Sequence, residues 1–296
     1  MSDLRIIRAE DVEHKLDWTR MVDALEAGHR LPRAEVSDQF LPMGNGTLMT
    51  RTAVIEGLGA GVKTFTVMPD RNPSVQGAML VYDANGVPAA YVDFDLVTKW
   101  KTVADSLLGV RLLARPDARR VLIVGTGKLA RQLSEAYPKF LPDCEVRIWG
   151  RDPAKAKTLG KPADDLQSAV RWADIISCAT LATDPVIKGD WLQAGQHLDL
   201  IGSFKAGMRE ADDTALQRAR IFTDSRESAA HVGEIADPLS RGVITESDIL
   251  GDLYSIPSRQ SNTDITLYKN AGGAHLDLMV GREILRVWKS ANPVKS

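Results

Sequence analysis

A glycine-rich turn between an apolar strand and a helix is the strongest chemical signal in the sequence. The run V-L-I-V-G-T-G-K-L-A places four apolar residues directly before Gly125, Gly127 and Ala130. In a G-x-G-x-x-A turn the first glycine permits the bend, the second lets the backbone approach a pyrophosphate, and the small third residue lets helix and strand pack closely. Because the N–H groups at a helix start bind phosphate, the pattern predicts a dinucleotide site.

The residue type after the next strand distinguishes two dinucleotides. An acidic residue about 20 positions after the turn would bind an unphosphorylated ribose, but here the strand E-V-R-I-W is followed by Gly150 and Arg151. A guanidinium pairs with a 2′-phosphate through two hydrogen bonds, whereas a carboxylate repels it. The sequence therefore predicts NADPH as the preferred cofactor, with NADH as the alternative and Lys155 as a second basic contact. An ordinary exposed loop arginine followed by Asp152 is the competing interpretation.

Two different patterns divide the chain near residue 115. Before it, a short amphipathic helix near Trp18 is followed by β-branched runs and the hairpin signal Asn85-Gly86, and apolar residues from Leu96 repeat with a helical period. After residue 115, strands and helices alternate, as in a doubly wound parallel sheet. We therefore predict an α/β protein of two domains. The predicted cofactor-binding residues of the second domain are Gly125, Thr126, Gly127, Lys128, Leu129, Arg151, Ala179, Thr180 and Ser203.

Composition restricts the class of function. Of the 296 residues, 44% are hydrophobic and 26% are charged, which is typical of a globular protein. The formal net charge of -2 offers neither a basic field for nucleic acid nor a polybasic membrane anchor. We find no run of about 18 apolar residues and no signal-peptide core. A small-molecule partner and a cytoplasmic location are the resulting expectations.

The cysteines and histidines favour structural roles. Cys144 and Cys178 lie in apolar sequence, which argues against a disulfide framework and a cysteine-rich zinc site. His275 opens the last predicted helix and either approaches a nicotinamide or packs the helix start. Asp212 and Asp213 begin another predicted helix and complement its dipole. We predict no metal, since no metal-ligand spacing occurs among the five histidines His14, His29, His197, His231 and His275.

Six sequence blocks, in this order, resemble the ornithine cyclodeaminase/μ-crystallin family. The resemblance runs from about residue 30 to residue 285, and the blocks read G-V-K-T-F-T-V-M-P-D-R-N-P, G-A-M-L-V-Y-D-A-N-G, K-T-V-A-D-S-L-L, V-G-T-G-K-L-A, D-L-I-G-S-F-K-A-G-M-R-E-A-D-D and D-I-T-L-Y-K-N-A-G-G-A-H-L-D-L. The resemblance implies a Rossmann NAD(P)-binding domain at residues 116–269. It implies a split substrate-binding and dimerisation domain at residues 1–115, completed by 270–296, and a homodimer.

The same resemblance implies substrate-binding residues, because substrates of the family share an α-carboxylate beside the carbon that exchanges hydride. Lys63 of G-V-K matches the active-site lysine of the family, and Arg33 of L-P-R matches an early carboxylate-binding arginine. Lys101, before Thr102, stands where most members have arginine. Lysine is a point charge, whereas arginine grips both carboxylate oxygens, so this departure affects how the carboxylate is held. Arg51 is a fourth candidate cation. Taken alone, such cations are more often exposed surface residues.

Ser203 distinguishes the reactions known in this family, which include ornithine cyclodeamination, alanine dehydrogenation and reduction of cyclic ketimines. Ornithine cyclodeaminases carry an aspartate here, suited to the second amine and to proton transfers, whereas serine is similar to the residue of μ-crystallin-type ketimine reductases. A ketimine reductase needs only hydride delivery to C2 of an iminium. We expect an NAD(P)H-dependent oxidoreductase that converts Δ1-pyrroline-2-carboxylate, and also Δ1-piperideine-2-carboxylate, to L-proline and L-pipecolate.

In this interpretation Lys63 and Ser203 are the catalytic residues. Strand alternation places Lys63 and Phe65 on one face of residues 62–67, where the lysine either snorkels at a sheet edge or turns into a site. Ornithine cyclodeaminase and an alanine-dehydrogenase-type enzyme are the alternative enzymes. A non-catalytic NADPH-binding protein of the crystallin kind is the alternative of another class. Apolar strands with few helices to cover them predict an exposed sheet that pairs with a second copy.

Overall fold

The computed structural model describes residues 4–255 and 257–293 of the chain. It divides into two compact units: unit 1 comprises Met1–Ala104 and Gly273–Ser296, and unit 2 comprises Asp105–Gly272. The strands are β1 Arg5–Ile7, β2 Glu35–Met43, β3 Gly46–Ile55, β4 Gly59–Val67, β5 Val75–Tyr82, β6 Pro88–Asp93, β7 Arg120–Val124, β8 Glu145–Trp149, β9 Lys161–Pro162, β10 Ile175–Cys178, β11 His197–Leu200, β12 Arg220–Thr223, β13 Ile249–Asp252 and β14 Thr266–Lys269.

The helices are distributed over both units. The α-helices are α1 Ala9–Val12, α2 Trp18–His29, α3 Phe94–Leu113, α4 Lys128–Phe140, α5 Pro153–Leu159, α6 Leu166–Trp172, α7 Asp213–Arg218, α8 Arg226–Ala229, α9 Gly233–Ser240 and α10 Ala274–Ala291. Short 3-10 helices occur at Glu13–Lys15, Gly189–Trp191, Glu246–Asp248 and Leu253–Ser255. None of the helices within the described residues is long and apolar enough to cross a membrane.

Unit 1 is built on a six-stranded sheet with the order β1-β6-β5-β4-β3-β2. Its strands are antiparallel neighbours except for β1, which pairs in parallel with β6. The predicted Asn85-Gly86 hairpin turn joins β5 to β6, where the Asp83 carboxylate accepts the N–H groups of Asn85 and Val87. Gly86 has a φ of 77°, a conformation in which a side chain would be strained.

Helix α10 packs against β3, β4 and α2, although it comes from the other end of the chain. Two glycines permit this close packing. A Cβ on Gly61 would lie 2.8 Å from Met79 Cε and 3.3 Å from Leu278 Cδ1, and a Cβ on Gly28 would lie 2.5 Å from Met279 Sδ. The first turn of α10 is thereby held against the strands that carry Arg51 and Lys63.

Unit 2 contains an eight-stranded parallel sheet with the order β13-β12-β14-β11-β10-β7-β8-β9. From β7 the chain proceeds outward to β8 and β9 and then returns to add β10 on the other side of β7. Open α/β sheets bind ligands where the strand order reverses in this way. The predicted α/β class with a doubly wound Rossmann unit is confirmed.

The boundary between the units falls within α3, after Ala104. The sequence pattern predicts this boundary after residue 115. The second half of α3 is bonded to unit 2: Ser106 Oγ donates to Asp199 Oδ1 at 3.1 Å, and Tyr268 Oη donates to Asp105 Oδ1 at 2.6 Å. The second boundary follows Gly272, since the Asp224 carboxylate accepts the N–H groups of Ala271 and Gly272. Helical periodicity predicts α3, but it does not show which unit each half of the helix joins. That depends on hydrogen bonds to residues distant in sequence, such as Asp199 and Tyr268.

Candidate active site

Lys63 lies in the interior of unit 1. It is on β4, opposite Arg51 of β3, and its side chain is 6% exposed. Its Nζ donates to Asp277 Oδ1 at 2.9 Å and lies 4.7 Å from the ring centroid of Phe94 and 6.0 Å from that of Phe65. The side chain therefore does not snorkel to the surface. It is enclosed by a carboxylate and two aromatic rings.

Lys63 is influenced electrostatically by the Asp277 carboxylate and by two other cations, Lys101 and Arg51. Burial lowers the pKa of the Lys63 ammonium, Asp277 opposes this shift, and Lys101 and Arg51 add to it. Burial alone would raise the pKa of the Asp277 carboxyl, but the three cations hold it below its usual value. Arg51 also pairs with Asp38 at 2.8 Å. Among the described residues, Lys63, Lys101 and Arg51 are thus grouped around the Asp277 carboxylate, and grouped cations attract an anionic group.

The four candidate cations occupy different environments. Lys101 lies on α3 and is buried, and the neighbouring Thr102 is partly buried. Lys63, Lys101 and Arg51 all act electrostatically on Asp277. Arg33 lies between α2 and β2 and is exposed, and its carboxylate-binding role stays a prediction.

His275 is buried in the first turn of α10, with its ring centroid 5.3 Å from that of His29 in an edge-to-face arrangement. Burial lowers the pKa of the His275 imidazole well below its usual value, and His29 and Lys101 add to this shift. His275 is therefore neutral at neutral pH and packs within unit 1. An approach to the nicotinamide stays a prediction.

The glycine turn of unit 2 fits a dinucleotide pyrophosphate. Gly125 has a φ of 131°, and a Cβ there would lie 2.6 Å from the carbonyl oxygen of Ala179. A Cβ on the exposed Gly127 would meet nothing within 4 Å, so the space before α4 is open. Gly127 has no side chain with which to cap the helix, so the first N–H groups of α4 suit a phosphate. Thr126, Lys128 and Leu129 complete the same turn.

Arg151 lies beside this turn. A Cβ on Gly150 would lie 2.4 Å from Thr126 Cγ2, so the segment after β8 contacts the glycine turn directly. Arg151 is exposed. The Asp152 carboxylate caps α5 by accepting the N–H groups of Ala154 and Lys155, which commits this anion to the helix. Binding of a 2′-phosphate by Arg151 and Lys155 stays a prediction.

Glu210 joins the chain segments that follow β10 and β11, and sequence reasoning missed it. Its Oε1 accepts from Thr180 N at 2.7 Å, and its Oε2 accepts from Gly202 N at 2.6 Å and Ser203 N at 3.3 Å. Burial raises the pKa of this carboxyl, and Lys269 counteracts the shift. Glu210 therefore fixes Thr180, Gly202 and Ser203, of which Thr180 and Ser203 are predicted cofactor-binding residues.

Ser203 is fully buried. Its Oγ donates to the Met208 carbonyl at 2.8 Å and accepts from Glu234 N at 3.3 Å. The hydroxyl thus has a structural role at the end of β11, as expected of a small residue that ends a Rossmann strand. Its catalytic and cofactor-binding roles stay predictions.

The remaining polar candidates contribute to structure. Asp212 caps α7 by accepting from Ala215 N at 3.0 Å, and Asp213 in its first turn pairs with Arg241 at 2.6 Å. Cys178 is buried and Cys144 partly buried, and both are free thiols. Within residues 4–255 and 257–293, no group of three or more His, Cys, Asp or Glu side chains is arranged to hold a metal ion.

A Rossmann unit with an open glycine turn is typical of dinucleotide-dependent enzymes, and the grouped cations Lys63, Lys101 and Arg51 suit an anionic substrate. The comparison with known families narrows this class. The chain belongs to the ornithine cyclodeaminase/mu-crystallin family, whose sequence profile matches residues 6–292. The resemblance inferred from the six sequence blocks is confirmed.

Three similar proteins illustrate this membership. A Delta(1)-pyrroline-2-carboxylate reductase from Paracoccus denitrificans is 50% identical over 300 residues, covering 94% of this chain and 95% of that protein. The Thermococcus litoralis Delta(1)-pyrroline-2-carboxylate reductase, solved with NADH and L-proline, shares the fold with a TM-score of 0.88, 24% identity and coverage of 97% and 98%. An archaeal alanine dehydrogenase dimer with bound NAD has a TM-score of 0.88, 26% identity and coverage of 99% and 98%.

Proposed function

We propose that this protein reduces the cyclic ketimine Δ1-pyrroline-2-carboxylate to L-proline with NAD(P)H, prefers NADPH, and also reduces the six-membered Δ1-piperideine-2-carboxylate to L-pipecolate. The observation that carries this proposal is the 50% identity, across 94% of the chain, with a reductase named for that substrate. The geometry of unit 1 agrees with it, because the grouped cations Lys63, Lys101 and Arg51 suit an α-carboxylate.

Each unit contributes separate functions. Lys63, Lys101 and Arg51 bind the substrate carboxylate and fix the position of C2, and Arg33 and Thr102 are predicted to add contacts to it. The glycine turn, Arg151 and the segments fixed by Glu210 bind the cofactor. C2 of the iminium accepts a hydride from the nicotinamide while the C=N π pair moves to nitrogen. The two aromatic rings beside Lys63 exclude water, which strengthens its attraction for the carboxylate.

The first expected result is turnover of the cyclic imine. The purified protein oxidises NADPH when given Δ1-pyrroline-2-carboxylate, and chiral analysis of the product shows L-proline. Loss of the nicotinamide absorbance measures the rate, and omission of the imine is the control. If neither the five- nor the six-membered ring is turned over, the proposed reaction is wrong.

An alanine-dehydrogenase-type reaction is a second candidate, because an archaeal alanine dehydrogenase shares 26% identity over 99% of the chain. Its substrate pair, pyruvate and ammonia, also presents a carboxylate beside the carbon that accepts hydride. Assays with pyruvate and ammonia, and with ornithine and a catalytic amount of cofactor, separate the dehydrogenase and cyclodeaminase reactions from ketimine reduction. Tight NADPH binding without turnover on any of these substrates would favour the crystallin-like alternative.

A homodimer is the second expected result. Strand β2 forms one edge of the sheet of unit 1 and is exposed over all nine residues, including Phe40 at 60% and Leu41 at 56%. A long apolar edge strand favours pairing with another chain, and the archaeal relative is a dimer. Sedimentation at micromolar concentration should give twice the chain mass. Phe40→Glu should shift the protein toward monomer, whereas Leu250→Glu, at an exposed position of unit 2, should not. A monomeric wild-type protein would contradict the proposal.

A further inference from the structure

The Asp277 carboxylate has one oxygen engaged and one available. Oδ1 accepts the hydrogen bond from Lys63 at 2.9 Å. Oδ2 is buried and, among the described residues, has no hydrogen-bond partner. Leaving a buried charged acceptor unsatisfied is costly, and such groups normally have partners. The arrangement therefore suits a ligand that brings its own N–H donor next to Lys63.

We propose that Asp277 Oδ2 accepts the N–H of the substrate ring nitrogen, so that Lys63 and Asp277 together bind the iminium carboxylate as a zwitterion. The inference rests on the proposed ketimine reduction. The substrate carries its carboxylate on C2 and its N–H on the adjacent ring atom, and the pair carries an ammonium and a carboxylate within one hydrogen-bond length. Each charge of the protein pair then faces the opposite charge of the substrate.

The charged groups facing the pair keep Asp277 anionic. Arg51 from β3 and Lys101 from α3 add to the effect of Lys63 on β4 and hold the pKa of the carboxyl below its usual value. His275 on α10 is kept neutral by burial and by His29 on α2. An anionic carboxylate beside the ring nitrogen favours the protonated iminium, which is the electrophile that ketimine reduction requires.

The proton balance of the step is simple in this arrangement. As a C2–H bond forms with hydride from NAD(P)H, the C=N π pair moves to nitrogen and the cofactor is oxidised to NAD(P)+. The nitrogen keeps the proton it already carries and becomes a secondary amine, still donating to Asp277, and then takes up a proton from water to become the ammonium of the product. Asp277 thus acts as an acceptor throughout and need not exchange a proton.

Ser203, the other predicted catalytic residue, has a hydroxyl that is bonded within the protein. The Ser203 hydroxyl already donates to the Met208 carbonyl and accepts from the Glu234 N–H. Asp277 supplies a carboxylate for the substrate nitrogen from a different element. It is therefore a candidate catalytic residue in its own right, in addition to its effect on Lys63.

Two ligands that differ only at the nitrogen test the proposal. L-proline presents NH2+ where cyclopentanecarboxylate presents CH2, and calorimetry with NADP+ present measures both affinities. Asp277→Asn keeps the volume and an oxygen acceptor for Lys63 but removes the charge. We expect this variant to bind L-proline about 10- to 100-fold more weakly, the loss typical of a charged hydrogen bond. Cyclopentanecarboxylate should bind equally well or more tightly, because the competing carboxylate is gone.

Three outcomes would overturn the inference. Equal weakening of both ligands means that Asp277 acts only through Lys63, and unchanged L-proline affinity means that Oδ2 does not contact the nitrogen. If Asp277→Asn does not fold, the wild-type protein provides the test. Equal wild-type affinities for L-proline and cyclopentanecarboxylate would also mean that Oδ2 does not contact the nitrogen. Imine reduction by the wild-type protein is measured in a separate assay. If the imine is reduced but L-proline and cyclopentanecarboxylate bind equally well, only this inference is wrong. If L-proline binds more tightly but the imine is not reduced, only the proposed reaction is wrong.

Discussion

Lys63→Met should lower kcat/KM for the cyclic imine by about 100-fold or more, the scale expected when an orienting charge is lost from an enclosed site. Methionine keeps an unbranched stem near Phe65 and Phe94 but removes the ammonium that we propose holds the substrate carboxylate. NADPH affinity should persist, because the glycine turn and Arg151 belong to unit 2. Steady-state kinetics with saturating NADPH, together with a titration of cofactor binding, measure the two effects separately.

The structure adds a required control, because Lys63→Met leaves the Asp277 carboxylate buried without its ion-pair partner. Removing one member of a buried ion pair costs about 3–5 kcal/mol. Without Lys63 the pKa of the Asp277 carboxyl shifts upward from its wild-type value, because burial is then opposed only by Lys101 and Arg51. The variant should therefore lose stability relative to the wild type at pH values where Asp277 is ionised, and lose less where it is protonated. The double variant Lys63→Met/Asp277→Asn should lack this pH-dependent loss in thermal melts while remaining inactive.

The kcat/KM values of the single and double variants distinguish a catalytic from a structural role of Lys63. If Lys63→Met retains more than about a third of wild-type kcat/KM, well inside the expected scale, Lys63 is a structural residue. The carboxylate would then be held by Arg33 and Lys101. If activity returns in the double variant, the unpaired Asp277 charge caused the loss, and Lys63 has no direct catalytic role.

The parts of the fold predicted from sequence are those that local pattern determines. Two-residue alternation places Lys63 and Phe65 on one face, and in the structure the Phe65 ring centroid lies 6.0 Å from the Lys63 ammonium. The V-L-I-V-G-T-G-K-L-A run folds as a strand, an open turn and a helix because its glycines and apolar residues act within about ten positions.

The residues that sequence reasoning missed depend on distant contacts. Asp277 is 214 positions from Lys63, and only the packing of α10 on β4 brings the two together. Glu210 is 30 positions from Thr180, with which it bonds. Glu210 and Asp277 lie in the family-like segments R-E-A-D-D and A-H-L-D-L. The sequence spacing of these two residues does not indicate which groups they contact. Burial of a charged side chain becomes evident only when the tertiary fold is known.

Arg151→Ala should raise the KM for NADPH by about 10- to 100-fold, the range for loss of a charge-assisted hydrogen bond to phosphate, and should leave the KM for NADH nearly unchanged. The reason is local geometry. Gly150 contacts Thr126, which places Arg151 beside the turn, and Asp152 is committed to capping α5. Because the Asp152 carboxylate is engaged by the helix, we expect the Arg151 guanidinium to be available to a ribose 2′-phosphate.

The comparison of the two nicotinamides is what makes this prediction specific to phosphate. Arg171→Ala, which removes an exposed arginine from α6, is the matched control and should change neither KM. Lys155→Ala should give a smaller NADPH-specific increase, because an ammonium binds phosphate as a point charge, without the two-pronged geometry of a guanidinium. Equal weakening of NADPH and NADH by Arg151→Ala would show that Arg151 supports the loop after β8 and that other residues bind the 2′-phosphate.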